Sequence, residues 1–103
     1  MSQEKVSVLA YFELLSGKEA EFMPHLHAVV AATRQEAACL NYDFHQSHDE
    51  PNKFMFYENW TSLAGLQQHG ESAHIAAFRA AFKDLVARPV EIKLYTMVTD
   101  LAA

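Results

Sequence analysis

The sequence predicts an α+β domain in which an antiparallel four-stranded sheet is covered on one face by helices. Four segments place apolar residues at every second position, as strands with one buried face do. Two of the intervening segments carry apolar stripes at helical spacing. The 103 residues, half of them hydrophobic, are enough for one domain (1–103) with its own core.

The first strand is predicted over 6–15, where apolar residues occupy every second position. A helix is predicted over about 17–36. Ser16 and Glu19 have the spacing of a capping box, which satisfies free N–H groups at a helix start. These two elements form the first half of a strand–helix–strand unit.

A hairpin is predicted next, with strands over 39–47 and 54–60 and a turn over 49–52 that contains Pro51. The first strand of the hairpin alternates apolar and polar residues along its length. The second is apolar on both faces, which is typical of a strand covered on both sides.

Two helices and a strand complete the chain. The helices are predicted over 62–69 and 73–87, with Ser72 as a possible N-cap of the longer one. Pro89 disfavours helical geometry at the preceding residue and ends that helix. The last strand is predicted over 90–99.

The element order is that of the ferredoxin-like split βαβ fold, whose helices cover one face of the sheet. The other face also carries large apolar residues on several strands, namely Leu9, Tyr11, Met55, Tyr57, Tyr95 and Met97. Soluble monomers rarely expose such a patch, so we expect a homodimer that packs sheet against sheet. The alternative is a set of scattered surface aromatic residues.

Composition and charge exclude several classes of protein. Eight basic and thirteen acidic residues give a net charge of −5, which disfavours binding to nucleic acid. A single cysteine excludes an internal disulfide framework and a cysteine-rich zinc site. No apolar run is long enough to span a bilayer, so we expect a cytoplasmic protein without a membrane partner.

Several short motifs resemble, in order and spacing, those of antibiotic biosynthesis monooxygenase (ABM) domains, a family that includes small quinol monooxygenases. The motifs are Gly17-Lys18, Thr33-Arg34-Gln35-Glu36, Cys39-Leu40-Asn41-Tyr42, Tyr57-Glu58-Asn59-Trp60, His69 and Ser72-Ala73-His74. The resemblance covers nearly the whole chain. It implies a dimeric α+β barrel and oxygenation by dioxygen without metal, flavin or haem.

Departures from the family pattern refine this expectation. Pigment-forming members pair their strand Trp with an Asn and a Tyr, where this chain has Phe56 and Leu66. Haem-degrading relatives use an Asn, a Trp and a His, where this chain has Ala10, His69 and Arg79. Haem degradation is therefore not expected. The expected substrate is a small electron-rich aromatic or quinol-type molecule that reacts with dioxygen, with no cofactor and no metal.

Glu58 is the first candidate for a catalytic residue, because it shares the apolar face of its strand with Phe56 and Trp60. A carboxylate on such a face has a raised pKa or an ionic partner. It is either a catalytic base or half of a structural ion pair, for example with Arg34. Trp60 and Phe56 are candidate substrate-binding residues, and core packing is the alternative for Trp60.

His69 and His74 flank the break between the last two helices and are candidate catalytic groups, because histidine titrates near neutrality. Capping or ordinary polar contacts are the alternative. Their five-residue spacing disfavours a shared metal ion. Arg79 and Arg34 are candidates for binding an anionic part of the substrate, or they lie on solvated flanks.

Two other functions remain open. The same groups could serve an isomerase of a phosphorylated diketone signalling metabolite, an activity that the resemblance also implies, with Arg34 or Arg79 binding phosphate. A dimer that binds a small aromatic ligand without catalysis is the second alternative. Proton exchange without oxygen would favour the isomerase, and unchanged ligand after incubation in air would favour the binding protein.

Overall fold

A computed structural model describes residues 5–99 as one antiparallel sheet with three helices. The strands are β1 (Val6–Glu13), β2 (Cys39–Gln46), β3 (Lys53–Trp60) and β4 (Glu91–Thr96), in the spatial order β2-β3-β1-β4. The helices are α1 (Glu19–Thr33), α2 (Leu63–Gly70) and α3 (Ala73–Phe82). This arrangement confirms the predicted ferredoxin-like α+β fold.

The core lies between the helices and the inner face of the sheet, which is defined by the side chains that point toward the helices. Buried side chains come from alternate positions of the strands and from the apolar stripes of the helices. They include Val8, Ala10, Phe12, Tyr42, Phe54, Phe56, Trp60, Phe22, Leu26, Val29 and Phe78. The period-two and helical patterns therefore identify most of this core, whereas Ile92 and Leu94 on the apolar face of β4 are more than half exposed.

Helix starts differ in how well the sequence predicts them. The Ser72 hydroxyl accepts a hydrogen bond from the Ile75 N–H at 3.3 Å, which confirms Ser72 as the N-cap of α3. The prediction of a capping box at Ser16 and Glu19 is wrong, because α1 begins at Glu19 without a side-chain cap. Gly17 adopts a φ of +84° and turns the chain just before the helix.

The end of α3 also differs from the prediction, since the helix stops at Phe82 rather than at residue 87. The segment that follows forms backbone hydrogen bonds with the end of β1 instead. The Leu15 N–H donates to the Leu85 carbonyl, and the Ala87 N–H donates to the Glu13 carbonyl, both at 2.8 Å. Pairing with a distant segment therefore replaces the last helical turn.

The outer face of the sheet carries the predicted apolar residues. The register pairs Leu9 with Tyr57, and Tyr11 with Met55, so these side chains share one face. Tyr95 lies beside Ser7 on the same face. In the single chain, 40% of Tyr57 and 51% of Tyr95 are exposed. Met97, the remaining predicted member, follows the end of β4.

The junction between α2 and the start of β2 is very close. A Cβ atom added to Gly65 would overlap the Cβ of Ala38. Glycine at this position therefore lets the first turn of α2 lie directly against the chain that leads into β2. In residues 5–99, no helix is long and apolar enough to cross a membrane.

Candidate active site

A cavity of about 510 Å³ lies between the inner face of the sheet and helices α2 and α3. Its walls are mostly apolar and come from all four strands, both helices and the segment that precedes β4. The main apolar residues are Val8, Ala10, Phe12, Phe56, Leu66, Ile75, Phe78, Phe82, Val90, Ile92 and Leu94. Few polar side chains reach it, which is the usual composition of a site for a small molecule.

Glu58 is the acidic residue of the cavity wall. Only 5% of the residue is exposed, and its Oε1 accepts a hydrogen bond from the Trp60 indole N–H at 3.0 Å. Both residues project from β3 at period two, so the strand itself brings them together. Glu58 is therefore held in one orientation by a neutral donor.

The environment of Glu58 makes it a weak acid. Burial raises the pKa of Glu58 to about 7, the Trp60 hydrogen bond opposes this rise, and the charge of Glu36 adds to it. Arg34, the example of an ionic partner suggested for this carboxylate, pairs with Asp43 instead. A carboxyl group with a pKa near neutrality can both accept and return a proton.

His69 lines the same cavity and belongs to a hydrogen-bonded trio. Its Nδ1 lies 2.6 Å from Glu36 Oε2, and His74 Nε2 lies 2.7 Å from the same oxygen. The His69 ring also packs on Trp60, with ring centroids 4.6 Å apart. Burial lowers the pKa of His69, although the hydrogen bond and charge of Glu36 oppose the decrease.

The trio has the composition of a metal site, since its ligand-type atoms all lie within 4.8 Å of one another. However, two ligands of one zinc ion at about 2.1 Å would be roughly 3.4 Å apart in tetrahedral geometry. The distances from Glu36 Oε2 to the two ring nitrogens are instead those of charge-assisted hydrogen bonds. The arrangement is that of a carboxylate shared by two histidines.

Three further polar residues line the cavity. Arg79 and Lys83 come from the end of α3 and the residue that follows it, and Arg79 donates a hydrogen bond to the Gly70 carbonyl at 3.2 Å. Tyr42 comes from β2 and is buried. Burial and the charge of Glu58 raise the pKa of Tyr42, so its phenol group stays protonated and can donate to a ligand.

Four of the seven predicted site residues line the cavity, namely Phe56, Glu58, His69 and Arg79. Trp60 is fully buried behind the cavity wall, where it donates to Glu58 and packs on His69. His74 contacts Glu36 and faces a separate, smaller cleft. Arg34 is placed elsewhere, in an exposed ion pair with Asp43 at 2.7 Å.

Glu36, Tyr42 and Lys83 were missed as site residues. Glu36 had a usable signal, because an acidic side chain just after a helix C-terminus is unfavourable next to the helix dipole and indicates another partner. Cys39 is only partly buried, and this burial together with the charge of Glu36 raises the pKa of its thiol to about 11, which keeps it protonated.

Comparison with known proteins agrees with this fold. The sequence pattern of the family described as antibiotic biosynthesis monooxygenase matches residues 5–81. An uncharacterised protein of Synechocystis, sll1783, is 29% identical over 91% of this chain, and the match covers 64% of the relative's own length. YcnE of Bacillus subtilis, whose name proposes a monooxygenase, is 30% identical over 81% of this chain and 87% of YcnE.

Among solved structures, that of Rv0793 from Mycobacterium tuberculosis superposes with a TM-score of 0.88 at 26% identity. The superposition covers 95% of this chain and 99% of Rv0793. The match of the family pattern to most of the chain, together with this likeness of fold, identifies the family. The chain belongs to the antibiotic biosynthesis monooxygenase family.

Proposed function

We propose that this protein is a cofactor-independent monooxygenase that oxidises a small electron-rich phenol or quinol with dioxygen. The observation that carries the proposal is Glu58, a buried carboxyl group with a pKa of about 7 in the wall of a mostly apolar cavity. A phenol reduces dioxygen much more readily after it loses its proton. A positioned base beside mostly apolar walls is what this reaction requires.

The chemistry balances without an added reductant. Glu58 takes the phenolic proton, and the phenolate reduces dioxygen while a carbon–oxygen bond forms on the ring. The protonated Glu58 returns the proton to the outer oxygen, which gives a ring hydroperoxide. Loss of the ring proton and cleavage of the O–O bond then release water, so that phenol and O₂ give quinone and H₂O. We assign removal of the ring proton to His69.

The remaining roles follow from the contacts. Phe56 offers an aromatic wall to the substrate ring, and Arg79 can bind an anionic substituent at the cavity wall. Trp60 acts through Glu58 as a positioning residue rather than as a direct contact. Arg34 has no part in this scheme, because it lies outside the cavity lining and binds Asp43.

We also propose that the protein works as a homodimer in which the outer faces of two sheets pack together. Tyr57, Tyr95, Leu9 and Tyr11 form a shared apolar surface there, and three of them are substantially exposed in the single chain.

Sedimentation equilibrium tests this proposed dimer. We expect Tyr57→Glu to weaken association about 100-fold, because it places a charge in the proposed interface. Gln67→Glu adds the same charge on the helical side and should leave association unchanged. Single chains of the unmodified protein at micromolar concentration would contradict the dimer.

Oxygen consumption tests the enzymatic proposal. A panel of hydroquinones and polycyclic phenols is mixed with the protein, a metal chelator and no cofactor in an oxygen electrode. We expect uptake above the rate in buffer, and with ¹⁸O₂ we expect one labelled atom in the product and one in water. Uptake no faster than in buffer across the panel would contradict an oxygenase.

A second function is supported by Arg79 and Lys83, since two cationic side chains in one cavity also suit a phosphorylated substrate. An isomerase of a phosphorylated diketone would use Glu58 and His69 to move a proton between adjacent carbons. Such an isomerase would exchange carbon-bound protons of its substrate with deuterium under anaerobic conditions. The oxygenase would not change its substrate when oxygen is absent. Saturable binding of a phenol that stays unchanged in air and argon would instead indicate a binding protein.

A further inference from the structure

The hydrogen bonds around Glu36 are not explained by the proposed reaction alone. Glu36 Oε2 is shared by His69 Nδ1 and His74 Nε2. A carboxylate oxygen can only accept, so both ring nitrogens must carry a hydrogen. The neutral His69 ring then has Nε2 as its one basic nitrogen.

We propose that Glu36 is a positioning residue that selects the Nδ1–H tautomer of His69, and that His74 holds Glu36 in place for this purpose. The inference rests on the proposed function, because it makes Nε2 the atom with which His69 takes a proton from the substrate. It also changes the role predicted for His74, which becomes a support for Glu36 rather than a catalytic residue.

The placement of the three residues favours this role. Glu36 lies in the connection between α1 and β2, His69 in the last turn of α2 and His74 in the first turn of α3. The His69 side chain is 6% exposed, Glu36 is 18% exposed and His74 is 26% exposed, so the trio extends from the cavity wall toward the surface. Two donors on one oxygen fix the carboxylate more firmly than His69 could alone.

The charge of Glu36 also supports the proton transfer itself. When His69 Nε2 takes a proton, the imidazolium that forms is paired with a carboxylate at hydrogen-bond distance. His74 and Arg79 on α3 act in the opposite direction and lower the pKa of His69. From β3, Glu58 faces the same region, and Glu36 raises its pKa as well. The Tyr42 ring on β2 packs on His69 and carries no charge.

This geometry gives a signature that a merely structural role would not produce. Since Glu36 raises the pKa values of both His69 and Glu58, removal of its charge lowers both. Glu36→Gln removes the charge and keeps an acceptor oxygen, whereas Glu36→Leu removes both. Glu71→Gln is a matched control, because Glu71 is an exposed carboxylate only two residues from His69.

The tautomer is measured by ¹⁵N NMR of the histidine ring nitrogens, which does not depend on turnover. We expect His69 of the unmodified protein to carry its hydrogen on Nδ1 above neutral pH, and Glu36→Leu to give a mixture of tautomers. Glu36→Gln should lower the pKa of His69 and reduce kcat about tenfold with little change in KM. His74→Ala should cause a smaller change in the same direction.

The outcomes separate this inference from the proposed function. Loss of the Nδ1–H tautomer in Glu36→Leu, combined with no oxygen uptake by the unmodified protein, would support the positioning role and overturn the oxygenase. Oxygen uptake with an unchanged tautomer and unchanged His69 pKa in both Glu36 variants would overturn the positioning role. If Glu36→Leu does not fold, the pKa of His69 in Glu36→Gln decides. Stoichiometric binding of Zn²⁺ that requires Glu36, His69 and His74 would also overturn it, because the trio would then be a metal site.

Discussion

Strands β3 and β4 both pair with β1, yet their surroundings are opposite. The inner-face residues Phe54, Phe56, Glu58 and Trp60 of β3 are all buried. The corresponding residues of β4, Ile92 and Leu94, are 57% and 51% exposed, although they line the same cavity. One side of the cavity is therefore closely packed, and the other opens to solvent.

This difference separates two tasks within one sheet. Burial on β3 disfavours the ionised form of Glu58 and gives it a useful pKa, which no residue on β4 could acquire in contact with water. The exposed strand leaves an apolar entrance for a substrate. The exposed apolar residues on both faces of β4 also make it the part of the molecule most in need of a cover.

The largest difference between the two strands is expected in stability. Phe54→Ala on β3 should lower the free energy of unfolding by about 4 kcal/mol, because the ring packs against Phe22 and is 5% exposed. Leu94→Ala on β4 should cost less than about 1 kcal/mol. Urea denaturation measures both. Equal losses would mean that β4 is covered in solution as completely as β3.

The carboxylates of the two strands, Glu58 on β3 and Glu91 on β4, are expected to differ in their effect on activity. Glu58→Gln should reduce kcat for oxygen uptake by about 100-fold or more, since the amide cannot take a proton. Glu91→Gln on β4, where the carboxylate is exposed, should leave kcat unchanged within about twofold. A Glu58→Gln variant with full activity would remove Glu58 from the mechanism.

The same carboxyl group predicts how stability depends on pH. The pKa of Glu58 is about 7 in the folded chain against an ordinary value of 4.5, so the unfolded chain ionises first. The contribution of Glu58 to the free energy of unfolding is therefore fully present below about pH 4.5 and is lost as the pH rises to about 7. Relative to Glu58→Gln, the unmodified protein should lose about 3 kcal/mol across this window in denaturation measured at several pH values. A parallel pH dependence of the two proteins would contradict this.

The smallest expected effect concerns the indole N–H of Trp60. Trp60→Phe keeps an aromatic ring but removes the hydrogen bond that lowers the pKa of Glu58. The pKa of Glu58 should therefore rise by about one unit, seen as a shift of the acidic limb of the kcat/KM profile to higher pH. Tyr95→Phe on β4 is the control and should not move it. A shift to lower pH would indicate that Trp60 does not donate to Glu58.

Most of the fold could be predicted because its determinants are local. Period-two alternation identifies the strands, and Ser72 marks the start of α3. The end of α3 could not be predicted, since residues 85–87 bond to the end of β1, about 70 residues earlier in the chain. Local propensity carries no information about such a partner.

The site was predictable in part for the same reason. Glu58 stands out as a carboxylate among apolar neighbours two positions away, and its burial follows from that pattern. Glu36 acquires its role only from contacts with His69 and His74, which lie more than 30 residues later. The spacing of the two histidines predicted poor convergence, and the bridging carboxylate is what makes them neighbours.

The close approach of Gly65 to Ala38 constrains how this chain can vary. The junction has room for one methyl group, which now belongs to position 38. A second methyl would push the first turn of α2 away from the sheet, and His69 at the other end of that helix would move with it. Exchange of the two residues conserves the volume, so Ala38→Gly should be the compensating partner of Gly65→Ala. Positions 38 and 65 are thus coupled in any functional variant, although neither touches the substrate cavity.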